Sequence, residues 1–424
     1  MNIEKLHDII SENNLSVSID SRRIEKKSIF FSIKGEKFNG NDFAIDALKK
    51  GASIAIVDEK REEFSSIKEI INVDDSLKTL QKLASYHRNN SKAKVIAITG
   101  SNGKTTTKEL LFNILCSKFQ TISTSGNLNN HIGVPLTLLK IKHDTEFAVV
   151  ELGANNFGEI DFLAKLSNPD YGYITNFGKA HLEGFKNIEG VIKGKTELYN
   201  WLIENNKHLF LNFDDSEQLK FKMNSNISFG INKDANYCFE LLKKDRITVK
   251  HNDNIFTTNL YGEYNFSNIC AAISIGLELG VEVSLIISSL EKYKSTNNRS
   301  EFIKINDKNI VLDAYNANPT SMELAIKSFL KLEGSKAVIL GDMFELGKKS
   351  SFEHLQVVEK IKNSSIDNYF FIGNEFYKFN DNENHFFKIK DDFYKTIFKI
   401  KEQNILIKGS RAMELEEILN KNII

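Results

Sequence analysis

Proline, cysteine and arginine are scarce in this 424-residue chain, and it carries no net charge. Only three prolines occur, at Pro135, Pro169 and Pro319. No proline-rich linker can be built from them, so domain boundaries must be sought in polar stretches. The three cysteines (Cys116, Cys238, Cys270) show no CxxC spacing. This excludes a disulfide framework and favours a reducing cytoplasm. Cys116 and Cys270 lie in apolar helical patterns, which predicts two small buried thiols. No run of about 18 apolar residues exists, so no transmembrane helix and no stable membrane insertion are expected. The first 14 residues are polar enough to lack the apolar segment of a secretory signal. Lys+Arg and Asp+Glu both total 56. That excludes broad nucleic-acid binding, which needs a large positive field. Arginine stands only at positions 22, 23, 61, 88, 246, 299 and 411, while lysine and asparagine are abundant.

What is present is an ordinary globular balance, with 41% hydrophobic and 26% charged residues. The length predicts three domains. Residues 95–99 (VIAIT), 147–150, 171–175, 310–312, 337–340, 369–372 and 405–407 read as buried strands. Helical periodicity lies among them, as in KELLFNILCSKF, EIDFLAKL, SMELAIKSFLKL, HLQVVEKIK and AMELEEIL. This alternation predicts an α/β chain with parallel sheets. About the first 85 residues hold short strand runs, SIFFSI and ASIAIV, around one helix, FAIDALKK, with Gly51 as its cap. The polar stretches RNNSKAK and KSTNNRS place domains at residues 1–88, 89–296 and 297–424.

The strongest motif is Gly100-Ser101-Asn102-Gly103-Lys104-Thr105-Thr106. It follows a strand and opens a helix, the context of a phosphate loop. Glycines admit phosphate oxygens to backbone N–H groups, and the helix start favours an anion. Lys104 supplies charge to the β- and γ-phosphates, and the Thr105 hydroxyl suits Mg²⁺. The longer GxxxxGK[ST] form is not met, because Ile98 stands where its first glycine would be. NKxD, the guanine signature, is absent: Asn232-Lys233-Asp234 has its acid one place early. Glu151 ends the run 147–150, well placed to hold Mg²⁺ beside the loop.

Other polar clusters sit at strand ends, where ligands gather in open α/β sheets. Asn127, Asn129 and Asn130 lie in GNLNNHIGVP, and His181 lies after the strand YGYIT. DAYNANPTSM (313–322) and GDMFELG (341–347) follow two further strands. Lys195 in KGKTELY reads, taken alone, as part of a solvated helix face.

Together these segments resemble the Mur ligase family, the ATP-dependent amide ligases of peptidoglycan precursor synthesis. The shared marks are TGSNGKTT, Glu151, His181 and G-x-x-N-x-x-N-x-x-A-A at 262–272. Further marks are the triplet DSR at 20–22, GNLNNHIGVP, ELGAN, AHLEGF, DAYNANPTSM, GDMFELG and KGSRAM. They cover nearly the whole chain. The resemblance implies an N-terminal domain for the UDP end, a central phosphate-loop ATPase domain and a C-terminal Rossmann-like domain. It implies that a tripeptide carboxylate is phosphorylated by ATP and then captured by the amine of D-alanyl-D-alanine. The other substrate implied is UDP-N-acetylmuramoyl-tripeptide.

The resemblance also assigns residues. Gly100, Ser101, Asn102, Gly103, Lys104, Thr105 and Thr106 hold ATP phosphates. Asn265 and Asn268 lie near the adenine, Arg299 at the γ-phosphate and Asp313 at the ribose. Thr105 and Glu151 hold one Mg²⁺; His181 and a carbamylated Lys195 hold a second. Ser21 and Arg22, with Asn127, Asn129 and Asn130, hold the UDP-sugar, and Tyr315, Asn316 and Asn318 the dipeptide. Tyr264 stands where the family often has His. A monomer is expected. A sister Mur ligase, or a folylpolyglutamate-type ligase adding one amino acid, is the alternative; the DAYNANP and GDMFELG loops argue against it. A phosphate-loop switch without ligation is opposed by the missing NKxD and by the second metal cluster.

Overall fold

The computed structural model describes residues 2–12, 16–223, 226–243, 246–295, 297–381, 384–397, 399–421 and 423–424. Positions 1, 13 and 14 of the leader reading and Thr296 of the second boundary lie outside them.

The N-terminal sheet has four parallel strands, Ser16–Ser18, Ser28–Phe31, Ala52–Val57 and Ile70–Asn72, in that order. Three α-helices accompany it where one was expected: Ile3–Glu12, Ala44–Lys49 and Ser76–Asn90. The two additional helices carry narrow apolar stripes, Leu6 with Ile10 and Leu80 with Leu83, which charged neighbours hide in the sequence. Gly51, at φ +113°, follows the second helix as expected.

Helix Ser76–Asn90 joins this domain to the next. Asp75 caps it, accepting from the Lys78 N–H at 2.8 Å. Leu80 and Leu83 share one apolar cluster with Leu6, Phe31 and Ile56, and Leu136 and Leu139 of the central domain pack against it. At its end the buried Arg88 donates to Ser167 O at 3.0 Å, Ala93 O at 3.1 Å, Asn168 O at 2.8 Å and Asp170 Oδ2 at 2.8 Å. Removing a buried partner leaves polar groups unpaired, so Arg88→Met is expected to cost about 3–5 kcal/mol. A drop in thermal midpoint checks this; an unchanged midpoint would refute it.

The central sheet has seven parallel strands. Their spatial order is Tyr237–Cys238, Ile227–Gly230, His208–Asn212, Tyr171–Ile174, Lys94–Thr99, Phe147–Glu151, Thr121–Ser123. A three-stranded antiparallel sheet, Glu240–Lys243, Thr248–His251 and Asn254–Thr257, adjoins it and has no counterpart in the sequence reading. The C-terminal sheet runs Glu301–Ile305, Lys308–Asp313, Asn404–Lys408, Lys336–Gly341, Asn368–Ile372, Phe386–Phe387. Only Glu301–Ile305 is antiparallel to its neighbour.

Two local expectations are corrected. Cys270 is buried but Cys116 is exposed. Cys116 ends the helix Lys104–Cys116 and falls outside the stripe of Leu110, Leu111, Ile114 and Leu115. The AMELEEIL segment is not an α-helix. It forms two 3-10 turns, Arg411–Met413 and Leu415–Asn420, separated by Glu414 at φ +49°. Among the described residues no helix is long and apolar enough to cross a membrane.

Candidate active site

Three neighbouring strand ends build the first half of the site. Lys94–Thr99 lies between Phe147–Glu151 and Tyr171–Ile174, pairing Ile98 with Glu151 and Thr99 with Ile174. The turn at 100–103, Glu151 and the loop bearing His181 therefore leave the sheet side by side.

Gly100 has φ +138°, and a Cβ there would strike Thr175 Oγ1. Gly103, at φ +80°, stands at the N-terminus of helix Lys104–Cys116. Both conformations call for glycine. Lys104 folds back, its Nζ donating to Gly100 O at 2.7 Å and Ser101 O at 3.3 Å. Desolvation lowers its pKa, with Glu151 opposing. The loop is pinned from the neighbouring strand end: the Asn102 carbonyl accepts from Thr175 Oγ1 at 2.5 Å and Asn176 Nδ2 at 2.9 Å.

Glu151 is 1% exposed. It accepts from Thr105 Oγ1 at 2.9 Å and from Asn129 Nδ2 at 2.7 Å. Lys108 Nζ lies 4.0 Å from the same carboxylate. It donates to Thr124 O at 2.8 Å and Gly126 O at 3.1 Å. Burial lowers the Lys108 pKa, with Glu151 pulling it back. The sequence reading passed over Lys108, although it stands four residues after Lys104 on one helix face. Among the described residues no three of His, Cys, Asp or Glu converge as a metal cage. The Thr105 hydroxyl beside the Glu151 carboxylate still fits Mg²⁺, which takes few protein oxygens and completes its shell with water and phosphate.

The cleft above these groups measures about 490 Å³. Ser101 to Thr106, Asn127, Asn129, Asn130, Glu151, His181, Asn265, Asn268, Arg299, Asp313, Tyr315 and Asn316 all line it. The asparagines do more than line. Asn129 orients Glu151, and Asn130 Oδ1 accepts from the N–H of Ile132 at 3.0 Å and Gly133 at 2.9 Å. Asn268 donates to Asn265 Oδ1 at 3.0 Å and accepts from Thr107 Oγ1 at 3.2 Å.

Ser21 and Arg22 do not line this cleft; they lie after the first strand of the N-terminal domain. Arg22 forks onto Asp20 through Nε and Nη2, both at 2.9 Å. That pair holds the Asp20 carboxyl down at about 2.

The C-terminal domain closes the other side. Arg299 stacks 3.6 Å from the Tyr315 ring, and its buried Nε has no hydrogen-bond partner among the described residues. Arg299 lines the cleft, and a guanidinium with an unsatisfied N–H suits an anion. Asp313 accepts from Ser300 N–H at 3.1 Å and pairs with Lys408, a cleft residue the sequence reading left out. Tyr264, to which no role was given, also lines the cleft and donates to Ser300 Oγ at 2.9 Å. Asn318 does not line it. Its Oδ1 caps helix Pro319–Phe329 through Ser321 N–H at 2.9 Å, and its Nδ2 donates to Asn102 Oδ1 at 2.7 Å. Asn318 thus ties the C-terminal domain to the phosphate loop. Lys179 adds a bridge to Glu353 at 2.9 Å.

Lys195 lies behind the wall, fully buried on helix Ile188–Glu204. Its Nζ donates to Ala154 O, a cleft residue, at 3.2 Å. Burial, reinforced by Lys104, lowers its pKa to about 7. Lys193, two residues away, is exposed.

A phosphate loop on a parallel sheet, an acid on the next strand and an arginine from a third domain define a nucleotide-dependent enzyme with an interdomain site. The chain belongs to the Mur ligase family. Residues 16–88 match the Mur ligase family catalytic domain, 98–276 the Mur ligase middle domain and 298–409 the Mur ligase glutamate ligase domain. The UDP-N-acetylmuramoyl-tripeptide–D-alanyl-D-alanine ligase of Bacillus subtilis is 34% identical, over 95% of this chain and 92% of its own. The Escherichia coli ligase of the same name is 32% identical over the same shares. MurF from Acinetobacter baumannii superposes with TM-score 0.84 at 30% identity, over 96% of this chain and 93% of its own. MurF from Thermotoga maritima, solved with ADP, superposes with TM-score 0.81 at 27% identity, over 98% of both.

Proposed function

We propose that this chain joins D-alanyl-D-alanine to UDP-N-acetylmuramoyl-tripeptide at the expense of ATP. The observation that carries the proposal is the convergence of Lys104, Glu151, Arg299 and Asp313 on one cleft between two domains. Like-named relatives over nearly the whole chain support it.

A carboxylate is a poor electrophile, so it must first gain a leaving group. The tripeptide carboxylate oxygen bonds to the γ-phosphorus while the bond to ADP breaks. The dipeptide amine then attacks the acyl carbon, loses its proton and releases phosphate. Two anions must meet in the first step. Lys104 and Arg299 supply fixed positive charge where it develops, with no reorganisation in water. Thr105 and Glu151 would hold one Mg²⁺, and His181 with a carbamylated Lys195 a second; the ions neutralise phosphate charge. Carbamylation replaces the Lys195 ammonium by an anion, and a lysine of pKa about 7 offers neutral amine to CO₂ at physiological pH. Asn265 and Asn268 would sit at the adenine, Asp313 at the ribose, and Tyr315 and Asn316 at the dipeptide. Asn318 would act by docking its domain. Ser21 and Arg22 would hold the UDP end. The enzyme would act as a cytoplasmic monomer.

Phosphate release from ATP with UDP-tripeptide present tests this. Release is expected to depend on D-alanyl-D-alanine and to match the product counted by mass spectrometry. Release indifferent to the dipeptide would sink the ligase reading.

A further inference from the structure

Tyr264 lies on the short turn Glu263–Asn265 of the central domain, with its ring against Gly262. A Cβ at Gly262 would come within 2.3 Å of that ring, and φ there is +92°, so glycine leaves the room the ring needs. The Tyr264 hydroxyl reaches the start of the C-terminal domain, where it donates to Ser300 Oγ at 2.9 Å. Three residues earlier the Tyr261 ring stacks on Phe302, with centroids 5.7 Å apart.

Ser300 closes a tight turn around Arg299. Asn298 and Ser300 stand at φ +53° and +50°, a left-handed region that asparagine enters more readily than serine. Such backbone persists where its surroundings impose it. Here every residue of the turn is held. The Asn298 carbonyl accepts from the Tyr315 N–H at 3.1 Å, and the Asn298 N–H donates to Glu301 Oε1 at 2.6 Å. The Arg299 carbonyl accepts from Ser295 Oγ at 2.6 Å, and the Ser300 N–H donates to Asp313 Oδ1 at 3.1 Å. The Arg299 side chain rests on the Tyr315 ring, with Nε unpaired among the described residues. The turn beneath it therefore governs where its charge sits.

We propose that Tyr264 is a positioning residue for Arg299: its hydroxyl fixes Ser300 and so holds the turn that keeps the guanidinium at the cleft. This rests on the reading of Arg299 as the residue that meets the γ-phosphate. Fixed charge helps a phosphoryl transfer only where it is already in place, and a small misplacement is costly. The segment bearing Tyr264 continues into Asn265 and Asn268. The stretch read as receiving the adenine thus also sets an arginine delivered from the next domain. This gives a use to the tyrosine that stands where the family often has histidine.

Steady-state kinetics of four variants test the proposal: Tyr264→Phe, Ser300→Ala, Arg299→Ala, and Tyr264→Phe combined with Arg299→Ala. Tyr264→Phe removes one oxygen and keeps the ring that packs against Gly262. It is expected to lower kcat about 3- to 10-fold, the scale of one hydrogen bond. KM for ATP is expected to stay near the wild-type value, the mark of an interaction felt in the transition state. Ser300→Ala, which removes the other partner of the same bond, is expected to lose kcat in the same range. In the Arg299→Ala background Tyr264→Phe is expected to add nothing, because the group it positions is gone. Tyr264→Phe at full kcat overturns the proposal, and so does Ser300→Ala at full kcat. An equal loss from Tyr264→Phe in both backgrounds also overturns it, since the phenol would then act on its own. Arg299→Ala separates the two readings. An undiminished kcat there removes the γ-phosphate role of Arg299; a loss there with Tyr264→Phe unaffected removes only the role of Tyr264.

Discussion

Lys195→Ala is expected to lower amide formation by about 10²- to 10³-fold, the scale on which one pre-set electrostatic group contributes to catalysis. Lys195 has no exposed surface, and Lys104 raises the cost of a second ammonium nearby. Among the described residues its one hydrogen bond goes to the Ala154 carbonyl, and the Phe185 ring lies 5.2 Å from Nζ. A buried amine so placed is poorly explained as a permanent cation and well explained as a carbamate precursor. If so, the missing group is an anion, and a short carboxylic acid such as formate should restore part of the activity of Lys195→Ala. Lys195→Arg, which keeps charge and cannot be carbamylated, is expected to be as impaired as Ala and not to respond to formate. Phosphate release coupled to product mass reads all three. Full activity in Lys195→Arg would show that positive charge is what the position supplies.

The parts of this molecule legible in its sequence are those where local pattern and tertiary role agree. Residues 95–98 are apolar throughout because that strand is covered on both faces, and the glycines after it are fixed by their own backbone angles. Glu151, read as a strand-end acid, does end a strand, and in the register beside the phosphate loop. Asn318 shows the opposite case. Its motif marks it as special, but only the folded chain reveals that its two amide ends cap one helix and hold Asn102. Lys108 was hidden for a related reason. A charged residue on a helix usually faces solvent, and only tertiary packing turns Lys108 inward. The three-stranded antiparallel sheet was missed because its strands are short and half-exposed, so their alternation is weak.

Gly103→Ala is expected to lower kcat/KM for ATP by about 10²-fold or more, since several loop N–H donors would move together. Two separate costs act on it. The φ of +80° is left-handed, which burdens any Cβ by about 1–2 kcal/mol. The new Cβ would also meet Asn268, 2.8 Å from Nδ2 and 2.9 Å from Cγ. Asn268 has no freedom to yield, because Asn265 and Thr107 hold its two amide ends inside the core. The two costs can be separated. Asn268→Ala clears the space but leaves the backbone angle, so the double variant Gly103→Ala with Asn268→Ala is expected to lose less than the product of the two single losses. Strict multiplication of those losses would mean that backbone strain alone accounts for Gly103. A double variant near the Asn268→Ala level would mean that the close approach of helix Phe266–Glu278 is what demands glycine there.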